Sequence, residues 1–214
     1  AYGRGVSYCV AGLGHEVDGV HCADAFELLG GGPPEGEAQN EPTVRVHRIR
    51  SALGAVSPIV TQQTGLPGLK TRALRGILDQ DFDVIHFHNV SLIGGPGVLR
   101  LGKAPVKLYT LHEHWLLCPT HIFWKNRSRA CEAPQCLSCC LRSGVPPQLW
   151  RYTGLRNKCL TYVDRLISPS AYTARRHADA GITRPIEILP MFSGLEGVAQ
   201  SAHEQALMPE PYFL

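Results

Sequence analysis

The chain has 214 residues, 44% of them hydrophobic and 18% charged, which is enough apolar material for a sizeable core and excludes disorder overall. The net charge of +3 is small, and the arginines are dispersed except around Lys125 to Arg129 and Arg142 to Arg156, so no nucleic-acid partner is expected. No long apolar run and no signal-like N-terminus is present, and the chain reads as cytoplasmic, with peripheral contact with a membrane left open.

In chain order, the first 22 residues read as the end of a helix, a glycine turn and a strand from Glu16 to Cys22. A doubly wound domain opens with a strand and a glycine-rich loop before such a helix. Only Tyr2-Gly-Arg-Gly-Val precedes it here, so the first strand is expected to be missing. Asp24 to Leu29 forms one helical turn, Gly30 to Pro42 a surface loop, and Thr43 to Arg50 an alternating strand near a sheet edge. From Ser57 a loop with Pro58 and Pro67 leads into a helix over Leu69 to Leu78, where Leu74, Ile77 and Leu78 keep helical spacing.

Asp83-Val-Ile-His-Phe-His88 and Val106-Lys-Leu-Tyr-Thr-Leu111 are short apolar, partly β-branched runs, the pattern of parallel strands. Between them, Ser91 to Leu101 carries a short helix broken by Gly94, Gly95 and Pro96. A helix from Leu149 to Tyr162 presents Leu155, Cys159 and Tyr162 on one face. Val163 to Ser170 is a third strand, followed by the helix Ala171 to Ala180, and Ile186 to Pro190 is a fourth. Strand and helix alternate, which gives an α/β fold: a Rossmann-like, doubly wound parallel sheet with helices on both faces. Residues 193 to 211 read as a linker, and Pro211 to Leu214 as a strand cut off at its start.

In an open α/β sheet the ligand crevice lies beyond the carboxyl ends of the strands, and His86, His88, Asn89, His112, Glu113 and His114 fall there. His86 is the weaker of its pair, because alternation puts it on the side of Val84, where it can pack under a helix. Trp115, Trp124 and Trp150 read as packing groups around the cysteine segment, Cys9, Cys22 and Cys159 as small core residues, and Lys125 to Arg129 as a solvated face that could meet an anionic lipid or polyphosphate.

Five of the eight cysteines lie between Cys118 and Cys140. Cys118, Cys131, Cys136 and Cys139 have the spacing C-x12-C-x4-C-x2-C in a loop with polar intervening residues and little core of its own. Four thiolates in such a loop suit a structural, tetrahedral zinc, with an Fe–S cluster as the alternative and reduced, partly buried cysteines as the third reading. With four protein ligands such a zinc keeps no open position and is structural.

D-V-I-H-x-H-N from Asp83, T-L-H-E-H from Thr110, V-D-R-L-I-S-P-S from Val163, P-I-E-I-L-P-M-F from Pro185 and G-H-E-V from Gly14 together resemble the N-terminal, acceptor-side domain of family-4 glycosyltransferases of GT-B architecture. The resemblance implies a domain over residues 1–192 with a cysteine-rich insertion at 118–147, then 193–214 leading into an absent second Rossmann domain. It implies transfer of a sugar from a nucleoside-diphosphate sugar, with retention, to a glycan, lipid or small-molecule acceptor, without a metal in the donor site, so no catalytic metal is expected. His112 would stand near the donor sugar and its phosphates, His88, Asn89, Glu113 and His114 would line the acceptor side, and Ser170 would cap a helix aimed at the cleft. Because the glycine-rich loop after strand one and the second domain fall outside this chain, it is expected to be inactive alone. The alternative is a non-catalytic, zinc-stapled Rossmann-like binding module.

Overall fold

The computed structural model describes residues 2–30 and 44–191. The expected loop beyond Gly30, Thr43, and the linker and incipient strand of 193–214 lie outside the described residues.

Helix α1 (Tyr2–Gly12) leads through a turn at Gly14 to strand β1 (Val17–Cys22), helix α2 (Ala23–Leu28) and strand β2 (Val44–Ile49). The strands pair in parallel, from Val17 opposite Val44 to Cys22 opposite Ile49. Helix α3 (Val56–Thr64) replaces the loop expected around Pro58. Pro58 stands in the first turn, where a missing N–H costs the helix nothing, so it reads as a breaker in sequence and is compatible with the helix in space. Helix α4 (Thr71–Leu78) follows and buries Leu74 and Leu78 as its spacing requires.

Strand β3 (Val84–His88) buries Ile85 and Phe87 on one face. After it Pro96 begins a 3-10 turn over Pro96–Arg100, where the sequence suggested a break. The Gly65 carbonyl accepts from Gly97 N–H at 2.8 Å, and a Cβ on Gly95 would stand 2.6 Å from the Gly65 backbone, so only glycine fits this crossing. Lys70, buried, donates to Ser57 Oγ, Thr61 Oγ1 and the Leu92 carbonyl at 2.9–3.1 Å and so ties α3 to the segment after β3.

Strand β4 (Val106–Thr110) precedes the cysteine segment, which holds a hairpin of β5 (Trp124–Lys125) and β6 (Arg129–Ala130) and helix α5 (Cys136–Ser143), where a loop was expected. The helix expected over 149–162 is instead a 3-10 turn (Leu149–Tyr152) and helix α6 (Leu155–Leu160), parted by Gly154 in the left-handed region. Cys159 is buried on α6 as expected, whereas Tyr162 lies past its end and is exposed. Strand β7 (Arg165–Ser168), helix α7 (Ala171–Asp179) and strand β8 (Ile186–Ile188) are the last elements among the described residues.

The four strands β3-β4-β7-β8 form one parallel sheet in that order. A single core joins Ile85 and Phe87 of β3, Tyr109 of β4 and Leu166 of β7 to Leu74, Leu99, Val163 and Ile49 of β2, so both parallel sheets share it. Among the described residues no helix is long and apolar enough to cross a membrane.

Candidate functional site

The polar ends of β3 and β4 meet at one edge. Parallel register sets His88 opposite Thr110, and the chain turns out of β4 so that His112 Nε2 stands 2.8 Å from His88 Nδ1. His86 lies behind His88, its ring centroid 4.0 Å away, and its Nε2 contacts Thr110 Oγ1 at 2.7 Å. All three rings are half-buried. The sequence ranks His86 low, but period-two alternation gives it the same face as His88, so the two stack along the strand.

Burial holds this file of imidazoles neutral. Desolvation, helped by His112, pushes His86 down to about 4. Desolvation, with His86 and His112 alongside, pushes His88 down to about 3. His112 is lowered by burial as well, against an opposing pull from Glu113. At neutral pH the His88–His112 contact therefore joins an N–H to a lone pair, and the pair offers hydrogen bonds without adding charge.

Asn89 follows directly, exposed, with φ +42°, a conformation asparagine tolerates better than most residues. Ser170 caps α7: its backbone is extended, and its Oγ accepts from Thr173 N–H at 3.2 Å.

The expected acceptor-side set is divided in space. Glu113 pairs with His121 at 2.7 Å. His114 stacks on His177 of α7 at 5.7 Å and lies 4.7 Å from the Phe123 ring, with Tyr172 edge-on at 5.8 Å. His177 is fully buried, pushed down to about 4 chiefly by desolvation, and its Nδ1 meets the Thr173 carbonyl at 2.8 Å. Neither His177 Nε2 nor His114 Nε2 has a hydrogen-bond partner among the described residues. His121, Phe123, Tyr172 and His177 carry no sequence signal of this association, since they come from two segments some fifty residues apart.

Next to this second group lies a cavity of about 420 Å³. Cys118, Cys131, Cys136 and Cys139 line it, whereas Cys140 is buried outside it. All eight cysteines are free thiols. Burial raises the Cys131 thiol, with Cys118 and Cys139 adding to the effect, and raises Cys136 with Cys118, Cys131 and Cys140. Among the described residues no three His, Cys, Asp or Glu side chains are grouped closely enough to hold a metal ion. Two expectations for this region are corrected, since Lys125 is buried and donates to the Ala133 carbonyl at 3.0 Å and Trp124 is exposed; elsewhere Cys22 and Cys159 are buried as expected, whereas Cys9 is exposed. Trp115 and Trp150 do pack together, 5.2 Å apart. Arg151 lies 4.4 Å over Trp150 and donates to the Trp115 carbonyl, fastening the cysteine segment to the sheet.

In a parallel α/β domain with polar side chains gathered at the strand carboxyl ends, that edge is where a ligand crevice lies. The family model described as Glycosyltransferase Family 4 matches residues 7–192, and the chain belongs to that family. No curated protein and no solved structure gives a significant match.

Proposed function

We propose that this chain is the acceptor-side domain of a retaining glycosyltransferase that moves a sugar from a nucleoside-diphosphate sugar to a glycan, lipid or small-molecule hydroxyl, the donor nucleotide being held by a second Rossmann domain. The observation that carries the reading is the His88–His112 contact of 2.8 Å at the carboxyl edge of β3 and β4. In such a transfer the bond between the anomeric carbon and the diphosphate oxygen breaks with its electron pair going to that oxygen, a bond to the acceptor oxygen forms, and the acceptor proton passes to the departing diphosphate. Negative charge grows on the leaving diphosphate, so fixed donors nearby lower the barrier. His112, neutral and oriented by His88, serves as such a donor toward the sugar and its phosphate. Asn89, Glu113, His114 and the Ser170-capped start of α7 bound the acceptor side, and no metal takes part at the donor.

The test is release of nucleoside diphosphate from a panel of UDP-, GDP- and ADP-sugars by the full-length gene product. His112→Ala is expected to lower kcat by about 100-fold or more while leaving the melting temperature within a few degrees. Turnover by the variant equal to that of the parent, or no sugar-dependent release from any donor, would remove the proposal. Full turnover by the 214-residue chain alone would remove the requirement for a second domain.

A further inference from the structure

We propose that Cys118, Cys131, Cys136 and Cys139 bind one structural zinc ion that closes the cavity they line and cross-links the turn after β4, the β5–β6 hairpin and α5. The four sulfurs belong to three pieces of chain: the turn after β4, the residue after the β5–β6 hairpin, and the first turn of α5. Sequence spacing alone allows Cys140 as a ligand in place of Cys139, because both lie one helical turn from Cys136. The structure separates them, with Cys139 on the cavity wall and Cys140 outside it.

Two further features suit bound thiolates. The Asn126 backbone N–H points to Cys139 Sγ at 3.4 Å, the kind of donor that supports a charged sulfur. Lys125, Arg156 and Arg176 share the wall with Glu132 and Asp179, an excess of positive charge facing a tetrathiolate zinc centre that carries two negative charges.

Polar and ring contacts hold the segment, but several of its large apolar side chains stay outside the core. Of the five non-glycine residues with positive φ among those described, four lie between His121 and Arg127. Ile122, Trp124, Leu137 and Leu141 are exposed. Backbone strain with little apolar burial persists only where something else fixes the segment, and metal ligation is such a constraint. The sulfurs line one cavity without standing at ligand spacing in this structure, and a bound zinc would bring them together.

The chain purified without chelator is analysed for zinc and iron by mass spectrometry, then reconstituted with Co²⁺ after metal removal. About one zinc per chain and an intense thiolate-to-cobalt charge-transfer band are expected. Cys131→Ser, at a half-buried position, is expected to lower bound zinc below about 0.2 equivalents. Cys9→Ser, at an exposed position on α1, is expected to keep it. Less than about 0.1 zinc per chain, iron with visible cluster absorption in its place, or undiminished zinc in Cys131→Ser would each overturn the proposal. Because metal content of the parent chain is read first, poor folding of a variant does not shield the idea. Loss of zinc binding and loss of sugar transfer are separate readouts, so either proposal can fail without the other.

Discussion

The carboxyl edge of the four-stranded sheet and the cysteine segment beside it are held in place by different means. The edge stands on a core: Ile85, Phe87, Tyr109 and Leu166 are buried beneath it, and its histidines are positioned by strand register. The segment from 118 to 147 has a short hairpin, one eight-residue helix, several exposed large apolar side chains and a run of left-handed residues. Burial fixes the first without help. The second depends on point attachments, among them Arg151 on Trp115, Gln148 Nε2 at 3.4 Å from the Pro119 carbonyl, His121 on Glu113 and Phe123 on His114.

The contrast can be broken most directly in the core. Leu166→Ala in β7, fully buried, is expected to cost about 2–5 kcal/mol of stability, read by denaturant unfolding. A cost under about 1 kcal/mol would mean that the sheet does not carry the fold. Acid should act on the same edge. The folded-state pKa values of His86 and His88, about 4 and about 3, lie below the ordinary 6.5, so the unfolded chain takes up protons first as pH falls. Their contribution is intact above pH 6.5 and is lost progressively below it, on the order of 1–2 kcal/mol for each between pH 7 and 5. Unfolding midpoints that stay flat over that range would contradict the burial of the histidine file.

Smaller effects sharpen the comparison. Ser170→Ala removes the cap of α7 and is expected to cost about 1 kcal/mol, with Ser170→Asp recovering most of it. On the other side, Ile122→Ala, at a side chain 69% exposed in the cysteine segment, is expected to change stability by no more than about 0.5 kcal/mol. A larger loss there would reveal an apolar attachment and weaken the case for metal as the fastening.

Much of the scaffold was legible because it depends on local pattern. Short β-branched runs with polar ends gave β3, β4, β7 and β8 within a few residues, and the helical spacing of Leu74, Ile77 and Leu78 gave α4. The C-x12-C-x4-C-x2-C spacing picked out the four cysteines that share a wall. Proline misled twice, at Pro58 and Pro96, because a residue that breaks a helix interior is neutral or favourable at a helix start, and only the neighbouring turns decide which position it occupies.

What sequence by itself determined is the class of fold and the edge where polar side chains gather, since both follow from periodicity along one stretch of chain. Which histidines meet is a property of register and of segments far apart in sequence. Parallel pairing put His86 and His88 in line with His112, while α7 drew His114 away to His177 and left Glu113 to His121. The physical reason is that a side chain's direction is local, but its partners are set by the packing of strands and helices that no single window of sequence contains.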